Sequence, residues 1–225
     1  KVPVIDHWWQ TETGWAIAAN CLGIELLPVK AGSVGPAAPG WDVRCLNQDG
    51  SDVKAGDVGA IACKLPLPPG TLPGLWQAEG RFRSSYLETF PGFYETGDAG
   101  FIDEASGHLR IIDRAKDVSK LNDGTLFAPK YIENKLKFSP YVKESVAHGM
   151  SRDFVAVFID IDFGAVANWA ERRHIGFTSY TDLAQKPEIY DLIYDEILRV
   201  NKSLSEDEKL KNSQIKRYLL FHKEL

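Results

Sequence analysis

Hydrophobic and polar positions alternate in short runs through the first half of the chain. Trp41-Asp42-Val43-Arg44-Cys45-Leu46 has a period of two and meets a turn at Asn47-Gln48-Asp49-Gly50, which predicts a strand. Residues 58–65 predict a second strand, stopped by Pro66 and the Pro68-Pro69-Gly70 turn. Phe93-Tyr94 leads into Thr96-Gly97-Asp98 and then into Ala99-Gly100-Phe101-Ile102-Asp103. Leu109-Arg110-Ile111-Ile112 pairs back across a turn at residues 104–108. A further apolar strand is expected at the very start, over Lys1-Val2-Pro3-Val4-Ile5. Together these runs predict a small antiparallel sheet or a distorted barrel.

The period changes in the second half. Pro129 sits where a first helical residue belongs, which predicts a helix over residues 130–138. Residues 142–149 and 154–161 read as buried strands. Residues 164–173 read as a helix with Val166, Trp169 and Ala170 on one face. Pro187 opens the longest expected helix, residues 188–202, whose Ile189, Leu192, Ile193, Ile197 and Val200 recur at helical spacing. A polar segment, residues 203–211, precedes a last strand, Tyr218-Leu219-Leu220-Phe221. The fold class expected is α+β, a β-rich part followed by a two-layer α+β part.

Composition sharpens that division. Residues 1–112 hold 15 of the 19 glycines, 9 of the 12 prolines and 5 of the 6 tryptophans. They also hold 8 basic and 13 acidic residues, so they carry the whole net charge of −5, whereas residues 113–225 are balanced. We therefore expect two domains, 1–112 and 113–225. The mild acidity argues against a nucleic-acid partner, which calls for a basic stripe. No uncharged apolar run approaches the ~18 residues of a membrane span. Cys21, Cys45 and Cys63 are odd in number and lack metal spacing, so we expect reduced, buried thiols and a cytoplasmic location. The chain opens without a signal-peptide pattern and its one methionine is Met150, so it reads as an internal piece of a longer polypeptide.

Phosphate loops, dinucleotide loops, zinc motifs and nucleophile elbows are absent from the sequence. The five histidines, His7, His108, His148, His174 and His222, are scattered and read as surface or packing residues. Three segments stand out. Asp6-His7-Trp8-Trp9-Gln10-Thr11-Glu12-Thr13-Gly14 sets hydroxyls and a hard carboxylate oxygen, suited to Mg²⁺, beside two large aromatics. The bland alternative is a turn with a tryptophan anchor. Tyr94-Glu95-Thr96-Gly97-Asp98 puts a carboxylate after a glycine at an expected strand end, where it suits the two hydroxyls of a ribose. Its alternative is an ordinary turn. Ile112-Asp113-Arg114-Ala115-Lys116-Asp117 is a charge cluster at the compositional border, and by itself reads as a solvated linker.

In this order and spacing, the three segments resemble the AMP-forming acyl-CoA synthetases of the adenylate-forming superfamily. DHWWQTETGW at residues 6–15 is similar to the core motif of the acetyl- and propionyl-CoA synthetases, FPGFYETGDAGFID at residues 90–103 to the ribose motif, and IIDRAKD at residues 111–117 to the hinge motif. The resemblance implies that residues 1–112 are the end of a large adenylation domain. It implies that residues 113–225 are a small domain that stops short of the catalytic lysine, expected beyond His222-Lys223-Glu224-Leu225. The phosphate loop of the family is expected ahead of residue 1.

Residue roles follow as implications of that resemblance. Thr11 is the phosphate threonine, and Glu12 holds Mg²⁺ on the ATP phosphates. Asp6, His7, Trp8 and Gln10 line the adenine pocket, Asp98 binds the ribose, and Arg114 reaches ribose and phosphate. Trp9 floors the acyl pocket, which favours acetate or propionate. Lys116 is the hinge between half-reactions. After the hinge the stretch Ser119-Lys120-Leu121-Asn122-Asp123-Gly124-Thr125 looks like long-chain members, so a long-chain fatty acid stays as an alternative. Lys120, Gly124 and Lys130 are the candidates for CoA contact. The implied partners are a carboxylic acid, ATP (leaving as AMP) and CoA, with homo-oligomerisation through exposed apolar surface. Other readings are a different adenylate-forming enzyme, which the paired Trp8-Trp9 disfavours, and a non-catalytic nucleotide-binding or interaction fragment.

Overall fold

The structure is a computed structural model and describes Val2 and residues 4–224. Lys1 and Pro3, in the expected opening strand, and Leu225, beyond which the lysine is expected, lie outside the described residues. Val2, Val4 and Ile5 are in no strand. The chain divides into two compact units, Lys1–Lys116 and Asp117–Leu225.

The first unit opens with β1 (His7–Trp9), a single 3-10 turn (Thr11–Thr13) and β2 (Ala16–Ala19), so the strand expected before the motif lies within it. β1 and β2 pair antiparallel, with a register shift between Trp8 and Trp9. The alternation of a strand turns Trp8 inward, against the cluster of Ile17, Val43, Ile61, Cys63, Tyr94 and Leu109, and leaves Trp9 53% exposed. Next come β3 (Val43–Leu46), β4 (Gly59–Lys64), helix α1 (Glu79–Tyr86), β5 (Phe93–Ile102) and β6 (Leu109–Arg114). They form a four-stranded antiparallel sheet in the order β3-β4-β5-β6. It is an open sheet; no closed barrel forms among the described residues.

Two expectations change here. Phe93–Ile102 is one continuous strand, so Thr96-Gly97-Asp98 is neither a strand end nor a turn, and Asp103 lies just past its end. The sheet absorbs the positive φ of Gly97 (75°) because the Gly97 carbonyl accepts from the backbone N–H of Ala115 at 2.9 Å. Residues 111–114 are not a solvated linker: they belong to β6, and Ile112 and Asp113 are buried. The compositional border at residue 112 therefore falls inside β6.

The second unit contains β7 (Ser119–Lys120), β8 (Leu126–Phe127), α2 (Pro129–Lys137), β9 (Val142–His148), β10 (Val155–Ile161), α3 (Phe163–Glu171), α4 (Tyr180–Ala184), α5 (Pro187–Ser205) and β11 (Ile215–Leu220). Its sheet runs β11-β10-β9, antiparallel between β9 and β10 and parallel between β10 and β11. Both proline-opened helices form, because a first helical residue needs no N–H and proline presets its φ. α2 buries Ile132, Glu133 and Leu136, and packs on β9. α5 buries Ile189, Leu192, Ile193, Ile197, Val200 and Leu204, one apolar stripe along its length. Asp162 caps α3 by accepting from the N–H of Ala165 at 2.8 Å. The expected polar segment after α5 holds buried Asp207 and Leu210, with Asp207 accepting from the N–H groups of Lys209 and Leu210. Helices α1 and α4 were not legible from the pattern.

Candidate functional site

The core motif folds into β1 and the 3-10 turn because its polar side chains close on their own backbone. The hydroxyl of Thr13, a buried residue, lies 2.9 Å from both the Gln10 and Trp15 carbonyls and accepts from the Gln10 N–H at 3.0 Å. Gly14 ends the turn at φ 65°, and a Cβ there would stand 2.7 Å from the Gly70 carbonyl oxygen. The position therefore demands glycine both for its dihedral and for the close approach of a second loop.

This turn faces β5 and β6 across a cleft of about 620 Å³ lined by Trp8, Trp9, Gln10, Thr11, Glu12, Tyr86, Thr96, Asp98, Ile111 and Arg114. Gln10 is the link at one end. Its Nε2 donates to the Thr96 carbonyl at 2.7 Å and to Asp98 Oδ2 at 3.2 Å, while its Oε1 accepts from the Tyr94 hydroxyl at 3.0 Å. Arg114, opposite Asp98 in the β5–β6 register, pairs with Asp98 Oδ1 at 2.9 Å. Burial pushes the Asp98 carboxyl above its ordinary value. The Arg114 guanidinium, the Gln10 amide and the Trp8 indole act the other way. The outcome is a buried carboxylate at a cleft wall, beside an exposed cation, with a neutral amide fixing its second oxygen.

Glu12 anchors the other end. Its Oε1 accepts from the Tyr86 hydroxyl at 2.8 Å, and its backbone carbonyl accepts from the Leu72 N–H at 2.7 Å. Tyr86 stacks on Tyr94, ring centroids 5.4 Å apart and planes 9° from parallel. Sequence reasoning missed Tyr86. It comes from α1, whose Glu79-Gly80-Arg81-Phe82-Arg83-Ser84-Ser85-Tyr86 shows no apolar stripe and buries only Phe82.

Of the sequence-predicted site residues, the cleft gathers Trp8, Trp9, Gln10, Thr11, Glu12, Asp98 and Arg114. Asp6 and His7 stay outside it. Both are exposed, Asp6 accepting from the His7 N–H at 2.8 Å, and His7 lines a separate apolar groove of about 640 Å³ with Trp9, Trp15 and Ile24. Trp9 is thus a wall shared by a polar cleft and an apolar groove. Lys116 is exposed and is the last residue of the first unit.

Lys120 and Gly124 lie in the second unit on the β7–β8 hairpin, where both are exposed and Gly124 has φ 85°. Lys130 sits on α2, its Nζ 2.6 Å from Glu133 Oε2. His108 is buried, its Nδ1 3.3 Å from the Ser33 hydroxyl, while the other four histidines are exposed. Cys45 and Cys63 are buried free thiols pushed up to about 12 by desolvation; Cys21 is also free but only half-buried, contrary to expectation. Among the described residues no three His, Cys, Asp or Glu side chains cluster as a metal cage, and no helix is long and apolar enough to cross a membrane.

No family model matches the chain. It is 45% identical over 119 residues to the mitochondrial acyl-CoA synthetase short-chain family member 3 of Mus musculus, a match covering 52% of this chain and 17% of that protein. It is 33% identical over 150 residues to the acetyl-coenzyme A synthetase of Pyrobaculum aerophilum, covering 67% and 22% respectively. The chain thus spans under a quarter of the curated relatives it matches. Among solved structures, an anthranilate CoA ligase in complex with anthranoyl-AMP shares its fold at a TM-score of 0.62 and 18% identity, over 99% of this chain and 36% of that one. The chain's relatives are thus acyl-CoA and acetyl-coenzyme A synthetases, each matched over part of its length, and its fold is shared with a solved CoA ligase.

Proposed function

We propose that the whole protein is an AMP-forming acid–CoA ligase and that this chain carries the nucleotide half of its site. The observation behind this reading is one cleft with Asp98, Arg114 and Gln10 interlocked at one end and Glu12 at the other. In it, Asp98 accepts the ribose hydroxyls, and Gln10 keeps the Asp98 carboxylate turned to them. Arg114 reaches ribose and phosphate. The Trp8 ring borders the adenine, and the Thr11 hydroxyl meets a phosphate oxygen. Asp6 and His7, exposed beyond this cleft, have no assigned contact.

The donor set fits Mg²⁺. Glu12 and Thr11 supply hard oxygens, and a single carboxylate completed by substrate phosphates is the usual way this ion is held, rather than an all-protein cage. Bound there, Mg²⁺ neutralises charge on the phosphates. Glu12 fixes the position of that charge, and Arg114 adds a second cation at the ribose–phosphate end. The acid is activated as acyl-AMP, with loss of pyrophosphate, and the acyl group then passes to the CoA thiol with loss of AMP. Backbone rotation at Lys116 exchanges the two half-reactions. Lys120, Gly124 and Lys130 are the proposed CoA contacts. Lys130 already carries Glu133, so Lys120 and Gly124 are the better placed of the three. Free thiols suit a reducing compartment such as the cytoplasm.

Trp9 fills the wall between cleft and groove, which supports acetate or propionate over longer acids. Two measurements test these readings. AMP titrated into this chain is expected to change tryptophan fluorescence through Trp8 and Trp9, and absence of binding would sink the nucleotide site. Thioester formation by the whole protein, with acids of two to sixteen carbons, is expected to be confined to two or three; turnover of long chains would defeat the short-chain reading.

A further inference from the structure

We propose that Tyr86 is a positioning residue for the phosphate end of the cleft: its hydroxyl fixes the Glu12 carboxylate so that one oxygen is presented to a divalent cation. The inference rests on reading Glu12 as the metal carboxylate. A glutamate side chain has three free torsions and loses rotamer entropy when it is held. Tyr86 engages Oε1 at 2.8 Å, which leaves Oε2 for the cation. The Glu12 main chain is held by Leu72, from the segment that leads into α1. One stretch of chain, residues 72–86, therefore fixes both the backbone and the carboxylate of Glu12.

Tyr86 is itself well seated. It stacks on Tyr94, whose hydroxyl donates to Gln10, and its ring lies 5.5 Å from that of buried Phe82. Gln10 in turn donates to Asp98. A continuous chain of contacts, Asp98–Gln10–Tyr94–Tyr86–Glu12, thus joins the ribose end to the phosphate end. Pre-organisation of this kind raises affinity by removing an ordering cost at the moment of binding. Its effect falls on Mg·ATP and spares AMP, which brings no cation.

The test is a Tyr86→Phe chain, which keeps the stacked ring and removes only the hydroxyl. ATP affinity is followed by tryptophan fluorescence at rising Mg²⁺, with AMP titrated separately and thermal melting as a check. The Mg²⁺ concentration for half-maximal enhancement of ATP binding is expected to rise about tenfold, the scale of one hydrogen bond to a charged group. AMP affinity should stay within about twofold, since the rings remain in place. In a Glu12→Gln background Tyr86→Phe should add nothing, because the two share one interaction.

An unchanged Mg²⁺ dependence, equal losses for AMP and ATP, or a melting point well below that of the unmodified chain would each overturn the inference. The last would make the contact structural. An unmodified chain whose ATP affinity ignores Mg²⁺, and which Glu12→Gln does not alter, would instead strike the reading of Glu12, and the inference would fall with it.

Discussion

Each unit buries carboxylates, and it uses them differently. In the second unit Asp160, fully buried on β10, accepts from the Tyr180 hydroxyl at 2.5 Å and lies 3.9 Å from Lys143. Glu133 accepts from the Ala147 N–H at 2.9 Å and meets Lys130. These acids tie helices to the sheet. In the first unit Asp98 is held from one side by Gln10 and Arg114 but stands in the wall of an open cleft. Burial alone does not distinguish a scaffold acid from one proposed to bind a ligand; the two differ in whether their partners close them off or leave them facing a space.

The hardest test of this contrast is a cavity in the second unit. Ile159 is fully buried on the central strand β10. Ile159→Ala is expected to cost about 2–5 kcal/mol of stability, through lost transfer energy and an unfilled void. Denaturant unfolding should show a destabilised transition, while AMP affinity stays unchanged. A parallel loss of AMP binding would mean that the two units do not act separately.

The next test sets the two acids against each other. Asp98→Ala should weaken AMP binding by about 1.5–3 kcal/mol, as for charged hydrogen bonds removed, and alter melting little. Asp160→Ala should do the reverse, costing about 1–3 kcal/mol of stability by stranding the Tyr180 hydroxyl. Calorimetry and thermal melting on both variants decide it; equal effects on binding would erase the distinction.

Sequence reading located the cleft better than it located the elements that build it. Trp8 to Glu12 and Asp98, singled out in the sequence, line one cleft because their segments are short and compact, whereas Asp6 and His7 stay outside it. The strand that carries TGD was hidden, since Gly97 reads as a turn residue and only pairing with β4 and β6 keeps it in a sheet. Helix α1 was hidden for another reason: it has one buried apolar residue, so it carries no helical stripe, and Tyr86 acts through contacts with residues far along the chain. The long helix α5 was legible over residues 187–202, because its burial face repeats every three or four positions. Its last three residues were missed because Leu204, though buried, stands alone between Ser203 and Ser205 in a polar stretch.

A smaller effect probes β5 directly. Gly97→Ala forces a Cβ into a left-handed dihedral and should cost about 1–2 kcal/mol. The added methyl meets nothing closer than Arg114 Nη1 at 4.0 Å, so the penalty is conformational rather than steric. Chemical denaturation should register it in the first unit. A neutral result would mean that the backbone at residue 97 relaxes without strain, and AMP affinity would then report whether Asp98 moves with it.

The smallest effect separates an exposed acid from the buried one through the sign of its pH dependence. Asp42 is hydrogen-bonded by Arg44 on the surface, and that bond holds its carboxyl below the ordinary value. The pair is worth about 0–1 kcal/mol, screened by salt. A lowered folded pKa means that this contribution is present above the unfolded value of 3.8 and is lost as pH falls through the folded one. Asp98, raised by burial, behaves oppositely. Its folded form holds the proton more tightly, so its contribution is present below 3.8 and is lost as pH rises through the folded value. Asp42→Asn should therefore narrow its stability gap to the unmodified chain as the solution is acidified. Asp98→Asn should become progressively more favourable relative to it as pH rises from the acid side. Unfolding free energies of both variants across the acid range would show the two slopes, and slopes of the same sign would mean that Asp98 is governed by Arg114 rather than by its burial.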